Sequence, residues 1–354
     1  MNVLGYTGRL ISLRLLPNIP KKHHSLFTFG LSAFALNSFQ SLASNARQVI
    51  ENLSTASSKV YRLTKNDKLL LELESLVPQV SLVHPDSVVN VDFSSFCGFE
   101  TLAFAVQTSL GRAIPIWIDC LKYPIKQVGS QNLFIIDQIK RLGVLLGFWP
   151  MLVFDRGFVI PSLIKFMLAN EIVFCIRINA GQTFRWSGSK TTYSTWSAKQ
   201  IGRLTKDTAI DAYGTKLRLV VSPIPPQPPS VFKPTPKERW YILTNDFTSS
   251  RKQILKKYQC RFEIEETFKD IKHIADLKKF FLNQPRSFKV LLWLVMIGFW
   301  LAWWSRILTA SIKKVHPKKL RSWFLCWWEE IQRLIRLAGN QRLQWIYNLS
   351  QDSG

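Results

Sequence analysis

Apolar residues repeat with two different spacings, which divide the chain into regions of different structure. In residues 1–85 they recur at irregular steps of three and four, which predicts short helices. From Val88 onwards they form short runs separated by glycine-containing connections, a pattern typical of strands. We predict three strands in an antiparallel meander, with an acid at the end of the first: Val88–Phe93, Thr101–Thr108 and Ala113–Ile118.

The next part of the chain alternates helical and strand-like patterns. One helical repeat stops at Gly147, and a proline in the first turn starts a second helical segment after a short apolar run. The order strand, strand, strand, helix, strand, helix, strand predicts an α/β fold with a mixed sheet flanked by helices. The four later elements are predicted at Gln131–Leu146, Met151–Phe154, Pro161–Glu171 and Ile172–Ile178.

Residues 180–247 interrupt this alternation with aromatic, threonine-rich and serine-rich segments, which predict a β-rich insertion. Its proline stretch, Pro223–Pro236, is expected to be an extended surface loop. The apolar run Val290–Trp304 lies in a segment of about 24 Å as a helix, shorter than the ~30 Å core of a bilayer. We therefore expect a buried core helix there.

These changes of pattern suggest three regions. A helical N-terminal region spans residues 1–85, an α/β domain with the β-rich insertion spans 86–282, and a helical C-terminal region spans 283–354. The C-terminal region contains the basic cluster Lys313–Arg321. The basic residues among the N-terminal helices suit recognition of a DNA end, although solvated helix faces are the simpler explanation.

The net charge of the chain indicates the class of partner that it binds. The 354 residues include 47 Lys and Arg against 23 Asp and Glu, which gives a net charge of +24. A surplus of this size predicts a polyanionic partner, either nucleic acid or an anionic membrane surface. The five cysteines are scattered without a Cys-x2-Cys pair, so neither a disulfide framework nor a zinc site is indicated, and a reducing cytoplasm fits best.

Candidate chemistry begins with four polar residues separated by helical steps of three, four and seven: Tyr258, Arg261, Glu265 and Lys272. At about 100° per residue, these steps place all four on one strip of a single helix, beside an apolar flank. A solvated face with an Arg–Glu pair is one interpretation. The mixture favours a functional face, because a carboxylate can bind a metal ion while cations and a tyrosine bind phosphate.

Two further acids stand where predicted strands end. Asp92 ends the first predicted strand, and Asp155 ends the fourth. The fold can therefore bring both aspartates into one cleft together with Glu265. Carboxylates this close are tolerated when divalent cations lie between them, and oxygen ligands suit Mg²⁺ or Mn²⁺. Two such ions can activate the attacking oxygen and stabilise the leaving oxygen when a phosphodiester bond is cleaved. Asp86 and Asp119 are alternative first acids, and an aspartate that only caps a turn is the simpler explanation of any one of them.

At these positions the chain resembles the DDE transposases of bacterial insertion sequences, in the group marked by Tyr-x2-Arg-x3-Glu-x6-Lys (insertion-sequence family four). Every spacing of this signature is kept from Tyr258 to Lys272. The Asp-Arg-Gly-Phe segment that starts at Asp155 is similar to the motif of the second acid, and Asp92 after a valine resembles the first. The resemblance covers roughly residues 85–310.

The resemblance implies an RNase H-like mixed sheet and metal-dependent DNA cleavage and strand transfer, with two Mg²⁺ or Mn²⁺ ions. The implied metal ligands and catalytic residues are Asp92, Asp155 and Glu265. The implied contacts to phosphates and to the distorted DNA end come from Tyr258, Arg261 and Lys272.

The same resemblance implies partners and a location. The partners are double-stranded DNA, as transposon ends and target, and a second copy in a homodimer on paired ends, with no membrane; the location is the cytoplasm, at the nucleoid. The β-rich insertion is expected to contact DNA. Arg156 is expected to touch a phosphate or to form a structural salt bridge, and Glu266 is expected either to pack against its surroundings or to support the metal ligands from outside.

Two other functions remain open on the sequence. One is a non-catalytic DNA-binding relic of a transposase, which keeps the fold but does not cut DNA. The other is a basic membrane-associated protein that uses Val290–Trp304.

Overall fold

The computed structural model describes residues 11–36, 53–79, 82–96, 98–109, 111–122, 131–188, 194–223, 239–275 and 284–309. The chain forms two compact units. Unit 1 comprises Met1–Val83, Phe93–Gln127 and Glu263–Gly354, and unit 2 comprises His84–Asp92 and Val128–Phe262. Lys313–Arg321 and nearly all of Pro223–Pro236 lie outside the described residues. The three regions predicted from the sequence stay a prediction.

The described elements follow the predicted order from β1 to β5. The strands are β1 (Val88–Phe96), β2 (Phe99–Val106), β3 (Ile114–Lys122), β4 (Met151–Phe154), β5 (Phe174–Ile178), β6 (Thr183–Trp186), β7 (Ser194–Ser197), β8 (Asp207–Ala212), β9 (Thr215–Val221) and β10 (Tyr241–Thr244). The helices are α1 (Lys21–Leu36), α2 (Leu53–Lys65), α3 (Asp67–Ser75), α4 (Gln131–Leu146), α5 (Pro161–Ala169), α6 (Ala198–Leu204), α7 (Arg251–Gln259), α8 (Phe262–Ala275) and α9 (Pro285–Thr309).

Unit 2 is built on a mixed sheet with the strand order β1-β4-β5-β10-β9-β8-β6-β7. Strand β4 pairs in parallel with both β1 and β5, and β10 pairs antiparallel with β5 and β9. The strands predicted as a separate β-rich insertion therefore continue this sheet, because β10 lies directly beside β5. A parallel pair next to helical crossovers is the mixed α/β arrangement that the alternating pattern predicts.

Unit 1 contains the helices α1, α2 and α3, the strands β2 and β3, and α9. The strand order in unit 1 is β3-β2-β1. Only the residues of β1 after Asp92 belong to this unit. Helix α9 packs against β3, α2 and α1. Its aromatic side chains except that of Trp303 are buried, and the indole of Trp300 donates to the carbonyl of Pro115 at 2.8 Å.

Helix α9 is long and apolar enough to cross a membrane by length and composition. However, 94% of its most apolar part, within Pro285–Trp304, is buried inside the described structure. A helix that is apolar on all sides is buried either in a protein core or in lipid. The packing of α9 inside unit 1 fits the core helix that we expect from the sequence.

Two sequence predictions about local structure are wrong. Asp92 does not end the first strand, because β1 continues to Phe96 and its second half lies beside β2. The helix from Tyr258 to Lys272 is not continuous, since α7 ends at Gln259 and α8 begins at Phe262. At the break the side-chain amide of Asn90 donates to the Cys260 carbonyl at 3.0 Å.

Candidate active site

The pairing register of β1 and β4 brings two of the predicted acids together. The two strands are parallel, and Val91 is the partner of Phe154. Asp92 and Asp155 are the residues that immediately follow these partners, and the backbone of Asp155 is still extended. Neighbouring parallel strands lie about 4.8 Å apart, so this register places the two aspartates side by side in unit 2.

Arg261 holds the first of these aspartates. Its Nη1 donates to Asp92 Oδ2 at 3.1 Å, and the arginine is only 3% exposed. The guanidinium also lies over the rings of Phe262 and Tyr258, with its carbon 4.7 and 5.9 Å from their centroids. A buried arginine is stabilised by a carboxylate partner and by aromatic faces of this kind. The turn at the helix break thus directs a cation to Asp92.

Tyr258 holds the second aspartate. Its hydroxyl donates to Asp155 Oδ1 at 3.1 Å, while its ring is fully buried in a cluster that includes Val153, Ile242 and Ile254. Burial raises the pKa of the Tyr258 phenol well above its ordinary value, and nearby Arg261 opposes this effect. The phenol therefore keeps its proton at neutral pH and acts as a hydrogen-bond donor to Asp155.

The start of α7 fixes the position of Tyr258. Ser250 caps the helix, and its side chain and that of Gln253 form a reciprocal capping box. The preceding turn is organised by Asp246, which accepts hydrogen bonds from the backbone of Thr248 and Ser249, each at 2.9 Å. Burial alone would raise the pKa of Asp246, but hydrogen bonds from Ser249, Thr248 and Lys257 outweigh it and hold this pKa well below its ordinary value.

Glu265 and Lys272 belong to unit 1, where both lie on α8. Glu265 lies in the first turn of the helix, where a carboxylate is favoured by the helix dipole. Lys272 is exposed, and its ammonium lies 5.1 Å from the ring centroid of Phe96. The four signature residues are thus divided between the two units, with Tyr258 and Arg261 in unit 2.

A neighbouring carboxylate, which no sequence pattern singles out, accepts two hydrogen bonds from the backbone. Glu263 is 7% exposed and accepts hydrogen bonds from the backbone of Thr108 at 2.8 Å and Gly111 at 3.2 Å. It therefore fixes the loop between β2 and β3. Glu266 forms an ion pair with Arg112 at 3.5 Å, and its expected role stays a prediction.

The remaining predicted residues occupy different environments. Arg156 is exposed at the start of a short 3₁₀ turn and forms no ion pair with any residue that the structure describes. Asp86 is exposed in the turn before β1. The residues of β1 that pair with β4 begin at Val88, so Asp86 precedes them, whereas Asp92 follows them. Asp119 lies inside β3 and is paired with Lys289 at 2.9 Å. The buried ion pair of Asp119 makes it a structural residue of unit 1.

Residues 126–301 match the family model described as "Transposase DDE domain". The match supports a DDE transposase. The matched segment contains Asp155 and all four signature residues, whereas Asp92 precedes it. No curated protein sequence matches the chain.

Among solved structures, the chain is similar to a piggyBac transposase in a synaptic complex with hairpin DNA. The TM-score is 0.44 and the sequence identity is 12%, over 91% of this chain and 75% of that one.

Two carboxylates of unit 2 fit a divalent metal by their chemistry. Asp92 and Asp155 provide hard oxygen donors on adjacent strands, which suits Mg²⁺ or Mn²⁺. Within the described parts of the chain, no three His, Cys, Asp or Glu side chains are grouped closely enough to hold an ion. Each aspartate is instead held by a donor of unit 2, Arg261 or Tyr258.

Proposed function

We propose that this protein is a transposase that catalyses metal-dependent DNA cleavage and strand transfer at the ends of an insertion sequence, by a cut-and-paste route. The family match over residues 126–301 supports a DDE transposase. The observation that carries the proposal is the β1–β4 register, because Asp92 and Asp155 immediately follow the paired residues Val91 and Phe154 of these parallel strands. An RNase H-like fold and the insertion-sequence family four signature are parts of the same proposal.

We assign the metal-ligand role to Asp92, Asp155 and Glu265, as the resemblance implies. Bound Mg²⁺ or Mn²⁺ ions would activate the attacking oxygen and stabilise the leaving oxygen at phosphorus. In hydrolysis the oxygen of water forms a bond to phosphorus, the P–O3′ bond breaks, and the 3′-oxygen leaves with a proton. In strand transfer that 3′-hydroxyl attacks a target phosphodiester and displaces its 3′-oxygen.

The chain's own residues support this chemistry by orienting the carboxylates. The proton on Tyr258 stays on the phenol oxygen and is directed at Asp155 Oδ1. Arg261 neutralises Asp92 in the absence of other cations. Contact of both side chains with DNA phosphates is implied by the resemblance. The single O–H of Tyr258 would have to leave Asp155 to donate to a phosphate, whereas Arg261 has N–H donors besides the one on Asp92. Arg156 and Lys272 are exposed and are proposed to contact phosphate directly.

Partners and location complete the proposal. The +24 charge supports binding to double-stranded DNA, as transposon ends and as target. A homodimer on paired ends and a cytoplasmic, nucleoid-associated location follow from the resemblance and are proposed with it.

The test is cleavage of a labelled duplex that carries the element's terminal inverted repeat, identified from the DNA that flanks the gene. We expect the wild-type protein to cut this duplex with Mg²⁺ and to stop when the metal is chelated. Glu265→Gln and Asp155→Asn should each lower the cutting rate by at least about 10³-fold, because each loses a charged oxygen ligand. Binding of the same duplex should change by less than about threefold.

Control variants separate the site from its surroundings. Glu266→Gln, next to Glu265 but paired with Arg112, should keep most of the activity. An unimpaired cutting rate for Glu265→Gln would overturn the site assignment. Binding without any cutting by the wild-type protein would favour the non-catalytic relic.

A further inference from the structure

The N-terminal helices of unit 1 form an open cavity of about 640 Å³ that is distant in sequence from the acids of the proposed active site. Residues from the start of α1, from the second half of α2 and from the start of α3 line it. Five of the lining residues are cations: Lys22, Lys59, Arg62, Lys65 and Lys68. One lining residue, Asp67, is an acid, so the formal charge of the lining is +4 with His23 neutral.

The negative charges near the cavity are already engaged. Asp67 forms an ion pair with Arg286, and Glu72 is hydrogen-bonded to His23. By contrast, Lys22, Arg62 and Lys68 are exposed and form no ion pair with any described residue. Solvent-exposed cations that face a shared concave surface raise the local potential and attract anions. The cavity therefore has unneutralised positive charge.

The arrangement of the cations fits an extended anion better than a compact one. Lys59, Arg62 and Lys65 follow one another every three residues, so they extend over about 9 Å of the α2 axis. Lys22 and Lys68 add charge from the two flanking helices. A single phosphate needs donors that converge on one point, whereas a nucleic acid backbone presents a row of phosphates, with one charge about every 3.4 Å per strand.

Tyr61 adds a second kind of contact. It lies on the same cavity lining and is 66% exposed, which is unusual for a large aromatic side chain. Its hydroxyl can donate to a phosphate oxygen, as tyrosines do in protein–DNA interfaces. The cavity thus combines cations and an exposed phenol.

We propose that this cavity binds the phosphate backbone of duplex DNA, as a contact separate from the three acids. The inference rests on the proposed function, since it assumes that the protein acts on DNA. It identifies where in residues 1–85 a DNA contact lies. Phosphate contacts fix position and carry no base specificity, so this surface would anchor the duplex without selecting its sequence.

The experiment compares two triple variants of the full chain that remove the same charge. The cavity variant is Lys22→Ala/Arg62→Ala/Lys68→Ala. The matched control is Lys140→Ala/Lys165→Ala/Lys252→Ala, which changes three exposed lysines on helices of unit 2 outside the predicted β-rich insertion. Binding of a random-sequence duplex is measured by fluorescence anisotropy over a range of salt concentrations, and circular dichroism and urea unfolding check the fold of both variants.

We expect the cavity variant to lose affinity on the order of tenfold or more at low salt, and the slope of log K against log salt to fall by about two to three. The control should keep the wild-type slope to within about one. Equal losses in both variants would overturn the inference, because they would reflect net charge alone. Wild-type affinity in the cavity variant would also overturn it, while leaving the proposed function intact.

Two further arms test other occupants. If the cavity variant binds DNA normally but loses binding to vesicles of phosphatidylglycerol and phosphatidylcholine, the surface faces a membrane and the inference is wrong. If inorganic phosphate at constant ionic strength reduces wild-type binding to the level of the cavity variant, the site takes a compact anion and the inference is also wrong. A wild-type protein that binds no duplex at all would contradict the proposed function itself, and with it this inference.

Discussion

At the residue scale, Arg261 and Tyr258 each contribute through one specific partner. Arg261 is 3% exposed and paired with Asp92, and Tyr258 is fully buried with its hydroxyl on Asp155. Removing one member of a buried ion pair leaves the other charge without compensation, which costs more than losing an exposed pair. These residues should therefore affect folding as well as any contact with DNA.

Arg261→Gln is expected to lower the free energy of unfolding by about 2–4 kcal/mol, somewhat below the usual range for a fully buried pair because Asp92 is partly exposed. Urea unfolding followed by circular dichroism measures this change. Arg156→Gln is the matched control, and it should change stability by less than about 0.5 kcal/mol, since Arg156 is exposed.

A double-mutant cycle with Asp92→Asn assigns the effect to the pair. The two substitutions together should cost less than the sum of the single changes, by about 1 kcal/mol or more. If Arg261→Gln and Arg156→Gln are equally stable, or if the cycle shows no coupling, the ion pair does not contribute as described.

At the element scale, α4 shows that a contact with the segment just after a helix can reverse a helix-propensity argument. Gly143 lies inside this helix, where alanine is normally more favourable by up to about 1 kcal/mol. The ring of Trp149 lies against the glycine, and a Cβ placed there would be 1.9 Å from Cζ3 of the indole. Such a distance is far below van der Waals contact. The steric overlap with the indole therefore outweighs the gain in helix propensity from alanine.

Gly143→Ala is therefore expected to destabilise unit 2, by about 1–3 kcal/mol in unfolding experiments, as is typical of overpacking. The contact can be removed by Trp149→Leu. In that background, Gly143→Ala should become neutral or slightly stabilising, because only helix propensity remains. A stabilising Gly143→Ala in the wild-type background would show that the indole moves away at no cost.

At the scale of the whole molecule, residues far apart in sequence meet in a buried charge cluster of unit 1. Lys289 on α9 is 8% exposed and pairs with Glu74 at 2.8 Å and with Asp119 at 2.9 Å. Its ammonium also lies 5.9 Å from the ring centroid of Trp117. The cluster connects α3, β3 and α9, which come from the three separate segments of this unit.

Lys289→Met should lower the free energy of unfolding by about 3–5 kcal/mol, because it leaves two buried carboxylates without a cation. The comparison is Lys140→Met, an exposed lysine on α4, which should change stability by less than about 0.5 kcal/mol. Adding Glu74→Gln and Asp119→Asn to Lys289→Met should restore part of the loss. If Lys289→Met is as stable as Lys140→Met, the cluster does not hold the three segments together.

The sequence alone determined the features that depend on local periodicity and on chemical type. The bounds of α4 and β4, the order of elements from β1 to β5 and the apolar character of α9 follow from patterns within short windows. The +24 charge predicts a polyanionic partner because charge is additive along the chain. Asp155 was identified correctly as the residue after a buried strand, and the spacing from Tyr258 to Lys272 selected the signature residues.

Only the tertiary structure decided which of these residues face one another. At the helix break the Cys260 carbonyl accepts a hydrogen bond from Asn90, which lies 170 residues away, and this contact has no local signature. The same holds for the pairing of Arg261 with Asp92, for Glu263 on the β2–β3 loop and for the Lys289 cluster. Strand register and burial are set by long-range packing, and packing determines whether a charged side chain is a solvated surface group or the partner of a buried carboxylate.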